Sequence, residues 1–190
     1  MAKLFGNLHL VLGLGLAVAI ALMLGFNGYA PIDSNAVARW LHLFFGVLWI
    51  GLLYYLNFVQ VPTMPAIPAE QKGAITGHIA PKVLFFFRYA ALLTVLTGLW
   101  ISMVSGYMID ALTFAGVGKV DLIGAGMWMA LVMAFNVWFI IWPAQKKVLG
   151  IVEASAEEKA AAAPRALIAS RLNTLLSIPM MYTMVSANLG

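Results

Sequence analysis

The chain has 190 residues, of which 63% are hydrophobic and 9% are charged, with a net charge of +4 and no cysteine. Soluble domains average about 25% charged residues, so this composition indicates an integral membrane protein. The lack of cysteine excludes disulfides, thiolate metal sites and covalently attached c-type heme. We interpret the basic residues as topology signals, and no nucleic-acid partner is expected.

Apolar runs of about 20 residues predict membrane-spanning helices. Five such runs occur, over residues 9–26, 40–61, 83–105, 122–142 and 172–189. The predicted fold class is therefore all-α, a polytopic membrane helical bundle with about five transmembrane helices. No internal repeat is visible, so residues 1–190 are predicted to form a single integral membrane domain.

Prolines are predicted to end or bend several of these helices. Pro62 and Pro143 are expected to stop the second and fourth spans, and residues 62–81 are expected to form a polar connection. Pro164 is expected to separate a short alanine-rich helix from the fifth span, which Pro179 is expected to kink.

Lysine and arginine are distributed unevenly between the predicted loops. The side that holds the N-terminus carries Lys3, Lys72, Lys82, Arg88, Lys146, Lys147, Lys159, Arg165 and Arg171. The opposite side carries only Arg39 and Lys119. The positive-inside rule then predicts a multi-pass membrane protein with a cytoplasmic N-terminus and a C-terminus on the outer side, which for a bacterial inner-membrane protein is the periplasm. The lipid bilayer is its first expected partner.

The second span carries a polar stripe that lipid does not explain. At helical spacing its members fall near one face: His42, Gly46, Trp49, Leu53, Asn57 and Gln60. Such a stripe is expected to face other helices or a ligand. Gly46 lies one turn inside His42 and leaves room for a flat group. We therefore hypothesise that His42 binds heme or a metal; the alternative is an interfacial histidine hydrogen-bonded to a neighbouring helix.

A heme ligated by His42 needs a second ligand near the same face of the membrane. The methionines predicted there are Met103, Met108, Met127, Met129 and Met184. His–Met ligation is known for heme centres, and several thioethers beside a histidine also suit copper(I). His78 is not expected to share a heme with His42, because the second span separates them by about 30 Å.

Arg88 is predicted to lie inside the third span, where a charge is costly. It either snorkels to the headgroups or pairs with an anion such as a heme propionate or a substrate carboxylate. Polar side chains of similar depth are Asn57, Gln60, Asn136, Asn173 and Ser177. They predict a structural hydrogen-bond network or, alternatively, a substrate site. All acidic residues fall in predicted loops, which argues against a carboxylate proton relay.

Four segments together resemble the urate oxidase N-terminal membrane family, the PuuD type: RWLHLFFGVLWIGLLYYLNFVQ, FFRYAALLTVLTGL, NVWFIIWPAQKKVLG and RLNTLLSIPMMYTMV. More distantly, the chain is similar to the HemJ-type membrane protoporphyrinogen oxidase and, more loosely, to copper-resistance D-type proteins. The residues that carry the HemJ similarity are His42, Trp49, Gly51, Arg171, Asn173 and Pro179. The resemblance implies a helical membrane unit and, for the HemJ type, a b-type heme held by histidine.

These observations together predict an integral membrane redox protein that binds heme b and transfers electrons to a periplasmic cytochrome or a respiratory complex. The predicted cofactor-binding residues are His42, Gly46, Trp49, Arg88 and Asn173, with His42 as the metal ligand. The alternatives are an oxidase of a purine or a porphyrin, a cofactor-free subunit that scaffolds a membrane complex, and a copper-handling protein. Full-length PuuD-type proteins carry a C-terminal cytochrome c, so urate oxidation by this chain alone is not expected.

Overall fold

The structure is a computed structural model that describes residues 2–28 and 32–188. All regular elements in that part of the chain are helices, which confirms the all-α class. In chain order they are α1 (Ala2–Phe5), α2 (Leu8–Gly25), α3 (Ser34–Ala66), α4 (Ala69–Val104), α5 (Met108–Thr113), α6 (Lys119–Val148) and α7 (Ala156–Ser186). Among the described residues α2, α3, α4 and α6 are long and apolar enough to cross a membrane. The end of the predicted fifth span, at residue 189, lies outside the described residues.

The chain divides into two compact units, Met1–Val37 and Ala38–Gly190. In the first unit, the Asn7 side chain begins α2 by accepting hydrogen bonds from the backbone N–H groups of His9 and Leu10, at 3.0 and 3.3 Å. None of the residues of α2 is buried. An apolar helix without a buried face is suited to a lipid environment, so α2 matches the first predicted span.

The predictions that Pro62 and Pro143 end the second and fourth spans are wrong. Helix α3 continues past Pro62 to Ala66, and α6 continues past Pro143 to Val148. A π-helical segment precedes each of these prolines, over Tyr55–Gln60 in α3 and Asn136–Ile141 in α6. A π-turn widens the helix and shifts its hydrogen bonds by one residue, so a proline that lacks an N–H is accommodated without a break.

The same feature extends α4 at its N-terminal end. The π-helical segment Ile75–Ile79 precedes Pro81, and α4 begins at Ala69. The polar connection predicted for residues 62–81 is therefore mostly helical.

Pro164 does not separate two helices, because α7 runs unbroken through it. The alanines on either side, Ala162 and Ala166, are buried against Ala144 of α6. Packing on this side of α7 offsets the cost of a proline inside a helix, about 3 kcal/mol.

The core of the second unit is built by α3, α4, α6 and α7. Its fully buried large apolar side chains are Trp49, Leu53, Phe87, Met133 and Val137. Two glycines let helices approach closely: a Cβ on Gly124 would collide with the carbonyl oxygen of Ala111 in α5, and one on Gly126 with the hydroxyl of Thr183 in α7. Small residues at helix crossings have this role in membrane bundles.

Candidate functional site

His42 on α3 is hydrogen-bonded to the neighbouring helix α4. Its Nδ1 lies 2.9 Å from the carbonyl oxygen of Thr94 and 3.3 Å from Oγ1 of Thr97. A carbonyl oxygen can only accept, so Nδ1 carries the hydrogen and the neutral imidazole keeps its lone pair on Nε2. Histidines that ligate metals are commonly oriented in this way. The hydrogen bond that the interfacial alternative predicted is therefore present, but it uses only one of the two ring nitrogens.

Two glycines make room around the imidazole. A Cβ on Gly98 of α4 would lie 3.0 Å from Cε1 and 3.3 Å from Nδ1 of His42, so the ring packs directly against this glycine. At Gly46 a Cβ would meet only Cγ2 of Thr94, at 3.8 Å. The space predicted beside Gly46 is present. Sequence reasoning missed Gly98. The available signal was its position just after Thr94 and Thr97, two polar residues in an apolar run.

His42 lines two adjoining apolar cavities. The first, of about 400 Å³, is lined by His42, Leu43, Gly46, Val47, Trp49, Ile50, Gly51, Thr94, Ala130, Met180, Met181, Met184 and Val185. The second, of about 420 Å³, extends toward Arg39 and Asn188, whose side chains are hydrogen-bonded at 2.7 Å. Both volumes lie in the range typical of small-molecule and cofactor sites.

Of the predicted methionine ligands, Met184 lines both cavities and Met127 lines the second. Met103 is 62% exposed, and it is not a lining residue of either cavity. No group of three or more His, Asp or Glu side chains that could hold a metal ion occurs in the part of the chain that the structure describes. A metal beside His42 would therefore depend on methionine sulfur for further protein ligands.

Trp49 lines the first cavity and is completely buried. Its indole Nε1 has no hydrogen-bond partner among the described residues. Buried indole N–H groups usually have an acceptor. The Nε1 atom is buried together with the ring, so the indole packs in the core and does not present this donor to the cavity.

At the Arg39 end of the second cavity lies Tyr107, between α4 and α5. Burial raises the pKa of its phenol, and the nearby charge of Arg39 opposes that shift. The phenol therefore stays protonated at neutral pH and can donate a hydrogen bond at this opening.

Residues 104–190 match the urate oxidase N-terminal family. The family resemblance predicted from the sequence motifs is confirmed by this match. No curated protein and no solved structure matches the chain. The matched region contains α5, α6 and α7, and with them Met127 and Met184. His42, Gly46, Trp49 and Arg88 precede it, and the similarities to the HemJ and copper-resistance types stay predictions.

Asn173, in the urate oxidase N-terminal region, is part of the amide network predicted from the sequence. Its Nδ2 donates to the carbonyl oxygen of Met133 at 3.0 Å, and its Oδ1 accepts from Nδ2 of Asn136 at 2.9 Å. On α3, Nδ2 of Asn57 donates to the carbonyl oxygen of Leu53 at 2.9 Å and to the hydroxyl of Ser170. Both carbonyls precede a π-helical segment, where the altered hydrogen-bond pattern frees backbone acceptors. The predicted network is therefore present only in part: Asn136 and Asn173 form one pair, Asn57 bonds separately to Ser170, and Oε1 of Gln60 has no partner among the described residues. Asn173 is not a lining residue of either cavity beside His42.

Arg88 on α4 is buried and packs against an aromatic ring. It is 8% exposed, and its Cζ lies 3.3 Å from the ring centroid of Trp142 in the urate oxidase N-terminal region. Its Nε and Nη1 have no hydrogen-bond partner among the described residues. Arg88 lies about 9 Å along the helix axis from Thr94 and lines neither cavity beside His42. A role for Arg88 at the cofactor stays a prediction.

Proposed function

We propose that this membrane protein, which is similar to the membrane domain of PuuD-type urate oxidases, binds heme b through His42 and transfers electrons. The observation that carries the proposal is the environment of the His42 imidazole. Thr94 holds Nδ1 of His42, which leaves the Nε2 lone pair for a metal, and the ring lines two apolar cavities. A histidine that serves only as an interfacial hydrogen-bond donor does not require such cavities.

The residues around the cavities fit a porphyrin. His42 would hold the heme iron, and Met184, which lines both cavities, is the candidate for a second protein ligand. Gly46 leaves space beside α3, and Trp49 contributes to the apolar lining of the first cavity. When bound, heme b supplies reversible one-electron chemistry.

The protein's own groups would tune that chemistry. The Thr94 carbonyl fixes the tautomer of His42 and makes the imidazole a stronger donor to a metal. The apolar lining keeps water away from the site, and exclusion of water changes the reduction potential of a bound iron. The expected electron partners are a periplasmic cytochrome or a respiratory complex.

A copper-handling protein is the second candidate, and the lining of the first cavity favours it. Met180, Met181 and Met184 line the same cavity as His42. Thioether and imidazole ligands together select copper(I).

The test is an absorption spectrum of the purified protein, with metal analysis of the same sample. We expect a Soret band that His42→Ala largely removes, while membrane insertion is unchanged because apolar helices do not depend on one ligand. His9→Ala, in the first unit, is the matched control and should keep the band. A spectrum without a heme band contradicts the proposal. If copper is then found in the same sample, the second candidate is supported. If the sample contains neither heme nor copper, the scaffold alternative is supported.

A further inference from the structure

A groove outside the His42 site lies where the end of α6 packs against the first turns of α7. It has a volume of about 560 Å³ and is lined by Phe139, Ile140, Pro143, Ala144, Lys147, Glu158, Ala161, Ala162 and Arg165. Ala144, Ala162 and Ala166 pack closely at its base. Their small side chains bring the helices together, so the long charged residues Lys147 and Arg165 are left at the rim.

The side chains at the rim of the groove carry one positive charge that is not neutralised, which suits one bound anion. Nζ of Lys147 donates to Oε1 of Glu158 at 2.7 Å, and Oε2 of Glu158 accepts from the backbone N–H of Ser155 at 3.0 Å. Glu158 is thus engaged by the protein, whereas Lys147 keeps two further N–H donors. Arg165 is exposed and makes no ion pair or hydrogen bond with any residue in 2–28 or 32–188. Two cations against one carboxylate leave the rim with one net positive charge.

Below this rim the groove becomes apolar. Phe139 lies about 12 Å along α6 from Lys147 and is 67% exposed. It belongs to a helix that is long and apolar enough to cross a membrane. A phosphate-binding rim above a lipid-facing aromatic side chain matches the two ends of a phospholipid molecule.

We propose that this groove binds an anionic phospholipid that carries one phosphodiester charge. The Arg165 guanidinium and the remaining Lys147 donors would bind the phosphate. Phe139 and Ile140 would contact the upper part of an acyl chain. The single net charge of the rim matches one phosphodiester, and the apolar lower part favours a lipid over a free phosphate. The proposal does not depend on heme at His42.

The test measures the lipid that stays bound to the detergent-solubilised protein, by native mass spectrometry after addition of phosphatidylglycerol or phosphatidylcholine. We expect wild-type protein to retain phosphatidylglycerol preferentially. Arg165→Gln should retain it about tenfold less, because a charge-assisted contact is lost. Phe139→Ala should reduce retention of both lipids. Lys159→Gln removes a charge of the same α7 turns that does not line the groove, and it should behave as wild type.

The substitution at Arg165 removes no hydrogen bond or ion pair among the described residues, so the variant is expected to fold as wild type does, and its thermal unfolding is measured beside lipid retention. Equal retention of phosphatidylglycerol by wild type and Arg165→Gln overturns the proposal. Full displacement of the lipid by excess inorganic phosphate also overturns it, since the groove would then be a phosphate site and not a lipid site.

Discussion

At the scale of single residues, the imidazole of His42 is positioned by α4 and not by its own helix. Thr94 and Thr97 contact Nδ1, and Gly98 provides the surface on which the ring lies. The histidine is visible as a candidate ligand in one apolar run of the sequence. Its three partners are more than fifty residues away in the chain, so their role follows only from the packing of α3 on α4.

Gly98→Ala tests this packing. A Cβ at 3.0 Å from Cε1 of His42 is too close, so the ring must shift and its bond to Thr94 must weaken. We expect a lower heme content and a changed reduction potential, measured by absorption spectroscopy and redox titration. Gly73→Ala on the same helix is the control, since nothing lies within 4 Å of a Cβ there. An unchanged spectrum and potential for Gly98→Ala would show that the ring position is unimportant for binding.

For Arg88, the structure shows an arrangement that the sequence did not predict. From the sequence, a cation inside an apolar span suggests either snorkelling or an anionic partner. The structure places its guanidinium on the face of Trp142, with Trp138 and Tyr89 each 5.9 Å away. A desolvated cation over an aromatic ring gains about 2 kcal/mol, and this third arrangement depends on residues from another helix.

At the scale of helices, the start of α7 combines a capping box with an ion pair. The Ser155 side chain accepts from the backbone N–H of Glu158, whose carboxylate accepts from Ser155 N–H and from Lys147. The hydrogen bond from Lys147 lowers the pKa of Glu158, and the one from Ser155 lowers it further. Ser155 and Glu158 have the three-residue spacing of a capping box, which is readable in the sequence, whereas the contact with Lys147 depends on the fold.

This arrangement makes the first turn of α7 sensitive to acid. Because the folded-state pKa of Glu158 is depressed, its stabilisation is complete above the ordinary pKa of 4.5 and is lost as pH falls through the folded value. We expect faster amide hydrogen exchange at residues 156–159 at low pH, after correction for intrinsic rates. Glu158→Gln should show fast exchange already at neutral pH, and Glu153→Gln, outside the helix, should not. Identical exchange in both variants would contradict the role of Glu158.

At the scale of the whole molecule, the division of polar and apolar residues on α7 decides the number of membrane spans. It is not among the four helices with sufficient apolarity. Its polar residues Asn173, Ser177 and Thr183 are buried against other helices, however, and are shielded from lipid. The face it exposes is apolar: Leu172, Leu175, Ile178, Tyr182 and Val185. A helix with this division of residues can span a bilayer inside a bundle although its mean hydropathy is low.

We therefore keep five spans and predict opposite locations for the two termini. Alkaline phosphatase, which is active only in the periplasm, should be active when fused after Gly190. Green fluorescent protein, which fluoresces in the cytoplasm, is the complementary fusion and should be dark there. The reverse pattern would show that one of the five spans is wrong, and α7 would be the first to re-examine.

The sequence by itself determined the membrane class, the helical fold and the resemblance to the urate oxidase N-terminal family, which residues 104–190 match, because these depend on apolar run lengths and local motifs. It also identified His42, since a histidine in an apolar run is conspicuous without a fold. The tertiary structure decided that Pro62, Pro143 and Pro164 lie within helices, because π-turns and alanine packing offset their local cost. The tertiary structure also decided which residues surround His42, because its hydrogen-bond partners lie on α4. Contacts between helices that are distant in the chain exist only once the helices pack.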